Sequence, residues 1–142
     1  MRLEYHVSGR DFQAAGGAAA KTKRALRQIG IDAETARRVG IVAYEAEMNI
    51  VIHAYRGTVG IDILPERVII YADDEGPGIS DIALAMQVGY STASEDIREM
   101  GFGAGLGLPN MKRYSDELKV TSQVGSGTSI RAVINLPAKE GS

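Results

Sequence analysis

The chain has 142 residues, 44% of them hydrophobic, a net charge of −2 and no cysteine. That length suits one domain with a real core over 1–142, and the near-neutral charge supplies no field to attract nucleic acid or an anionic membrane. The lack of cysteine excludes a disulfide framework, a cysteine metal site and a thiol nucleophile.

No apolar run approaches the ~20 residues that span a bilayer. The start, Met1-Arg2-Leu3-Glu4-Tyr5, has no signal-peptide hydrophobic region, so a cytoplasmic protein is expected. Residues 2 to 7 alternate weakly in polarity and predict a short first strand. A helix is expected from Asp11 to Ile29, small-residue rich from Ala14 to Ala20, then basic at Lys21, Lys23, Arg24 and Arg27. The paired Gly16 and Gly17 cost about 1 kcal/mol each against alanine inside a helix. Either a close neighbour or a partner surface justifies them or the helix is loosely held, and loose holding is the plainer expectation. Gly30 ends this helix; Asp32 caps a second one, with Glu34 in its first turn, running to about Tyr55. Thr58 to Leu64 and Arg67 to Ala72 read as strands joined by a tight turn at Pro65-Glu66. Residues 81 to 87 suit a short helix. Residues 88 to 105 lack periodicity, and a segment of that length in a compact domain is usually a functional lid. Leu106 to Tyr114 predicts a helix that tolerates Pro109 only near its first turn. Leu118 to Gln123 and Thr128 to Leu136 predict a closing hairpin across Gly125-Ser126-Gly127, followed by a frayed tail from Ala138 to Ser142.

Within the second helix, Ile41, Tyr44, Met48, Val51, Ile52 and Tyr55 form a broad apolar stripe, and Ala43, Ala46, Ile50 and Ala54 line much of the remainder. A helix so apolar around its circumference is buried or nearly so. Yet Glu45, Asn49 and His53 recur every four residues along one edge. An unpaired carboxylate there is costly. A divalent cation would compensate it: Asn49 offers a neutral carbonyl oxygen to Mg²⁺. Glu45, one turn earlier, is placed to accept a proton from an attacking hydroxyl. His53 either touches phosphate or hydrogen-bonds a lid residue. The alternative is a polar helix edge facing solvent. Glu47 falls on a different face and is expected in solvent.

The run Val68-Ile69-Ile70-Tyr71 leads into Asp74-Glu75-Gly76-Pro77-Gly78. A carboxylate at a strand's mouth can accept from an exocyclic amine, which adenine offers where guanine offers a carbonyl. Gly76 and Gly78 remove side chains so that backbone can approach a flat ring, and they permit positive φ. The spacing to both glycines selects Asp74, although Asp73 could share the task. Alone, the pattern is an ordinary acidic turn. Four glycines then alternate at Gly101, Gly103, Gly105 and Gly107, and Leu106 and Leu108 carry the run into a helix. Bare amides at a helix N-terminus bind phosphate oxygens. The missing Lys-Ser/Thr excludes a Walker loop, and the spacing, with no strand just before it, excludes a Rossmann turn. Thr128 adds a hydroxyl at a strand start, either near an adenine or in a plain hairpin turn.

These three segments, in this order, resemble the boxes of the GHKL-type (Bergerat-fold) ATPase/kinase superfamily of gyrase, histidine kinases, a heat-shock chaperone and the mismatch-repair MutL proteins. Glu45-x-x-x-Asn49-x-x-x-His53-Ala54-Tyr55 and Gly107-Leu108-Pro109-Asn110-Met111-Lys112-Arg113 look most like the bacterial anti-sigma factor serine/threonine kinases. The run Leu108 to Asp116 is similar to the related switch kinases, and the four-glycine run looks closer to histidine kinases and switch kinases. The resemblance implies an α/β fold of the two-layer α+β sandwich type, with a left-handed βαβ unit and a mixed sheet covered on one face by helices. It implies ATP and Mg²⁺ held between a helix and a mobile lid at about 88–105. Asn49 would hold Mg²⁺, Glu45 would serve as base, Asp74 would read adenine, and Gly101 to Gly107 would close over the phosphates. The implied activity is phosphoryl transfer to a Ser or Thr of a small partner, an anti-sigma factor antagonist or a related scaffold domain. A sigma factor as a further partner and a homodimer belong to the same implication. Two other readings stand beside it. One is a detached histidine-kinase-type catalytic domain, against which no helical hairpin with an acceptor histidine is visible. The other is a non-catalytic, ATP-gated partner-binding module.

Overall fold

The computed structural model describes residues 1–79, 81–87 and 107–137. In chain order these form β1 (Arg2–Ser8), α1 (Gly17–Gln28), α2 (Ala33–His53), β2 (Arg56–Ile63), β3 (Arg67–Glu75), α3 (Ile82–Ala85), α4 (Gly107–Tyr114), β4 (Glu117–Gln123) and β5 (Gly127–Asn135). The strands make one five-stranded sheet in the order β1-β2-β3-β5-β4.

The second helix forms as its caps dictate. Asp32 sits outside it and accepts from the Thr35 amide at 3.0 Å. At the other end the chain turns extended at Ala54. Val39, Val42, Ala43, Ala46, Ile50 and Val51 of α2 are fully or almost fully buried, as are Val59, Ile61, Val68, Ile70, Ala132 and Ile134 of the sheet. In β3, Val68, Ile70 and Ala72 share one side of the strand, the side that faces the helices. The two-layer sandwich is therefore as expected, with helices on one face.

The sheet itself is a correction. The resemblance implied a mixed sheet, but each pair of neighbouring strands is antiparallel. The connections explain it. Two pairs are joined by short turns, which must reverse direction. The α1–α2 hairpin returns the chain to the end of β1 that it left, where the Gly9 amide donates to the Tyr55 carbonyl at 2.8 Å. Ser8 consequently faces Arg56 in register.

The first predicted helix also starts late, at Gly17 rather than Asp11. Gly16 has φ +91°, a left-handed conformation that a helix interior excludes and glycine tolerates. No side chain adjoining α1 caps its start. The acceptor comes instead from α2: Glu47 Oε2 takes the Ala18 amide at 3.2 Å and Oε1 takes the Ala19 amide at 3.1 Å. Glu47, expected in solvent, is 3% exposed. Orphan amides and the positive end of the helix dipole compensate its charge. Ala18 and Ala19 are buried at this junction, whereas a Cβ at Gly17 would meet nothing within 4 Å. Of the paired glycines, the positive φ explains Gly16, and no close neighbour explains Gly17. The α2 stripe is correspondingly narrower than its sequence suggests: Tyr44 and Tyr55 are 39% and 69% exposed.

Glu47→Ala leaves two buried amides without an acceptor, and the expected loss is about 2 kcal/mol of folding stability. Glu47→Gln keeps one acceptor oxygen and should lose less. Urea unfolding of both variants beside the parent chain measures the order.

Candidate functional site

α2 carries Glu45, Asn49 and His53 on one edge, all half-buried. The first turn of α4 lies against Glu45. A Cβ built at Gly107 would sit 3.4 Å from Glu45 Oε2, and Asn110 Nδ2 donates to Glu45 Oε1 at 3.4 Å. The last glycine of the run thus meets the proposed base. Asn110 has no motif of its own to announce this role; its one sequence signal is that it stands a turn after Gly107. Burial pushes the Glu45 carboxyl up from its ordinary value, and the Asn110 hydrogen bond opposes the shift. Leu108 is a core residue at 6% exposure, so only its main chain is left for a ligand. Gly101, Gly103, Gly105, Leu106, the lid span 88–105 and the tail 138–142 lie outside the described residues.

At the far end of β3, the two adjacent acids separate. Strand alternation sends them to opposite faces. Asp73 is exposed and accepts from the Ser129 hydroxyl at 2.7 Å. Asp74 is half-buried on the helix side, and its Oδ1 accepts from the Thr128 amide at 3.0 Å. Burial raises the Asp74 carboxyl most; the Thr128 amide pulls it down, and the charge of Asp73 raises it further. Asp74, not Asp73, therefore shares the helix side with the α2 edge. Thr128 joins it and is 5% exposed.

Of the loop's two glycines, Gly78 takes the positive φ expected of it, at +76°, and the room each leaves in the Cβ direction is occupied by backbone. A Cβ at Gly76 would lie 3.0 Å from Ala54 Cα, and one at Gly78 would lie 2.5 Å from the Gln123 carbonyl oxygen. The space they leave is filled by the protein's own backbone, because the loop is strapped between the end of α2 and the β4–β5 hairpin. The Gly76 amide donates to the Ser126 carbonyl at 3.2 Å, the Gly125 amide to the Pro77 carbonyl at 2.9 Å, and the Ile79 amide to Ser122 Oγ at 2.7 Å. Gly127 closes the corner: φ is +150°, and any Cβ there would collide with the Asp74 carbonyl.

His53, at the end of α2, lines a cleft of about 380 Å³ with Gly9, Arg10, Ala54, Tyr55 and Pro77. Burial lowers the imidazole's pKa, and the nearby Arg10 charge lowers it further. The cleft adjoins the base loop at Pro77. Among the described residues, no three His, Asp or Glu side chains form a metal cage. One amide carbonyl and one carboxylate a turn apart instead suit Mg²⁺, which keeps waters and takes substrate phosphates as ligands.

Residues 11–134 match the family model described as a histidine kinase-like ATPase domain. The chain is 33% identical over 115 residues to the serine/threonine-protein kinase RsbT of Bacillus subtilis (strain 168), an alignment covering 78% of this chain and 80% of that protein. It is 31% identical over 120 residues to the anti-sigma F factor of Pasteuria penetrans, covering 80% and 77%. It is 40% identical over 92 residues to that of Caldanaerobacter subterraneus subsp. tengcongensis, covering 61% of each. Among solved structures, the SiaB-SiaC complex from Pseudomonas aeruginosa shares the fold at TM-score 0.64 and 19% identity, over 93% of this chain and 88% of that one. The RsbU and RsbW domains of a Mycobacterium tuberculosis protein do so at TM-score 0.62 and 17% identity; 96% of this chain is covered but only 34% of that longer one.

The raised Glu45 carboxyl has a consequence for stability. Its folded pKa lies above the ordinary 4.5, so its contribution is fully present below about pH 4.5 and is lost as pH rises through the folded value. Glu45→Gln removes that loss. The nucleotide-free variant should melt above the parent near neutral pH, with the gap closing in acid. Thermal melts across the pH range check the sign.

Proposed function

Since the chain belongs to the histidine kinase-like ATPase family, we propose that it is an ATP- and Mg²⁺-dependent serine/threonine protein kinase acting on a small regulatory partner protein. The observation that carries this reading is the half-buried Glu45 carboxylate held against the first turn of α4, one turn from Asn49. Burial raises the Glu45 carboxyl above its ordinary value at that point, which suits a group that accepts a proton in the reaction.

In this reading Asp74 accepts from the adenine amine, with Thr128 beside it, and the amides at the start of α4 face the phosphates. Gly101, Gly103, Gly105 and Leu106 complete that cradle, and residues 88–105 serve as the lid of a single kinase domain spanning 1–142. Bound at Asn49, Mg²⁺ would neutralise triphosphate charge. Glu45 takes the proton of a partner's Ser or Thr hydroxyl as that oxygen bonds to the γ-phosphorus. The bond from phosphorus to the β–γ bridging oxygen breaks, and its electron pair leaves on ADP. Catalysis is then mostly positioning and charge neutralisation. His53 lies at the edge of this site, where its cleft could receive a ligand or lid group.

The partner is proposed to be an anti-sigma factor antagonist or a related scaffold domain. The similarity to a serine/threonine-protein kinase and to anti-sigma F factors supports this class, and the fold shared with the SiaB-SiaC complex supports a protein partner. A sigma factor as a further partner, a homodimer and a cytoplasmic location are part of the same proposal. No helix among the described residues is long and apolar enough to cross a membrane.

Incubation with labelled ATP, Mg²⁺ and candidate antagonist domains tests the activity. Glu45→Ala should lower transfer by about 100-fold or more while nucleotide still binds. Asn49→Ala should weaken Mg-ATP binding as well. Transfer by Glu45→Ala at the parent rate would overturn the base assignment. The labelled product should survive acid as phosphoserine or phosphothreonine does; its loss in acid would select the histidine-kinase reading.

A further inference from the structure

The base loop and the β4–β5 hairpin meet at one hydroxyl, that of Ser122. Among the described residues it has three polar neighbours. The Ile79 amide donates to Ser122 Oγ at 2.7 Å. The Gly127 carbonyl oxygen lies at 3.0 Å as an acceptor. Thr128 Oγ1 lies at 2.9 Å across the strand pair, where Ser122 and Thr128 face each other in register.

Only one arrangement of hydrogens satisfies all three contacts. Serine has one hydrogen and two lone pairs. A carbonyl can only accept, so the Ser122 hydrogen goes to Gly127. An amide can only donate, so Ile79 takes one lone pair. The remaining lone pair must then receive the Thr128 hydrogen. Thr128 is buried, and its hydroxyl consequently turns its hydrogen towards Ser122 and its lone pairs away. Its amide is already spent on Asp74 Oδ1. The corner formed by Asp74 and Thr128 therefore presents acceptors only.

We propose that Ser122 is a specificity-determining residue: it orients the Thr128 hydroxyl so that this corner accepts from a ring amine and rejects a ring carbonyl. The inference rests on the reading of Asp74 as the base-recognition residue and deepens it. Ser122 acts through Thr128 and through the Ile79 strap. Without it, the Thr128 hydroxyl is free to rotate and donate, and a purine with a carbonyl at position 6 becomes acceptable.

The discriminating pair of probes is ATP and inosine triphosphate, whose purine rings differ along one edge: adenine has an amine at position 6 and an acceptor at N1, hypoxanthine a carbonyl at position 6 and a donor N1–H. Titration with Mg²⁺ present should show the parent chain preferring ATP. Ser122→Ala should shrink that preference by about tenfold, the scale of one hydrogen-bond mismatch in a partly exposed site. Ser122→Thr restores the hydroxyl and should restore the preference. Ser122→Cys keeps the volume with a weaker donor and should fall between, and it serves if the alanine variant does not fold. A purely structural role would lower both affinities together and leave their ratio intact. An unchanged ratio in the folded variants overturns the role of Ser122 while leaving the ATP site standing. A parent chain that binds neither nucleotide overturns the site itself, and Ser122's role with it.

Discussion

One helix of 21 residues, buried along most of its length against the sheet, is the member from which every part of the candidate site is placed. Its apolar side closes the core. Its polar edge carries Glu45 and Asn49. Its Glu47 holds the start of α1, and its last residues seat two loops. Gly9 and Gly76 both press on Ala54, so closely that a methyl group at either would meet backbone atoms. A shift of α2 by a fraction of an ångström would therefore move the base loop and the first strand together. Close-packed interiors transmit strain in this way.

Three acids near this helix show three treatments of a carboxylate. Glu47 is fully buried and satisfied by two helix amides, so it contributes to holding the fold. Asp74 is half-buried with one amide on Oδ1. Glu45 is half-buried with a long contact to Asn110. Burial raises the carboxyl of both Asp74 and Glu45. Raised carboxyls that retain acceptor capacity among the described residues favour ligand chemistry over stability, which is why perturbed acids cluster at sites. The contrast with Glu47 makes the division of labour clear, since that residue is two positions from Glu45 on the same helix.

The remaining pieces are tied to this frame by backbone hydrogen bonds and a few side chains. The base loop is fastened to the β4–β5 hairpin at Gly76, Pro77 and Ile79, so the two move as a unit. The end of α4 is held to α2 by Arg38, which donates to the Tyr114 carbonyl at 3.1 Å and pairs with Asp116 at 3.4 Å. With its last residue anchored, the short helix α4 places its first turn against Glu45.

What the sequence by itself determined is local. Periodicity marked both long helices and all five strands, because burial on one face imposes a repeat within a few residues. Asp32 announced its cap, Pro65-Glu66 its turn, and the spacing of Glu45, Asn49 and His53 put them on one edge. Tertiary structure decided the relations between residues distant in the chain. Glu47 looked solvent-facing because the start of α1, which it caps, lies 28 residues earlier. Spacing to the glycines selected Asp74, but Asp73 could still share its task until the helices covered one face of β3. The glycines at 76 and 78 looked shaped for a ligand, and only the approach of Ala54 and Gln123 revealed their immediate neighbours. Asn110 and Ser122 carry no local pattern that names their partners. A hydrogen bond across the fold depends on which strands and helices pack together, and no short-range repeat in the chain encodes that choice.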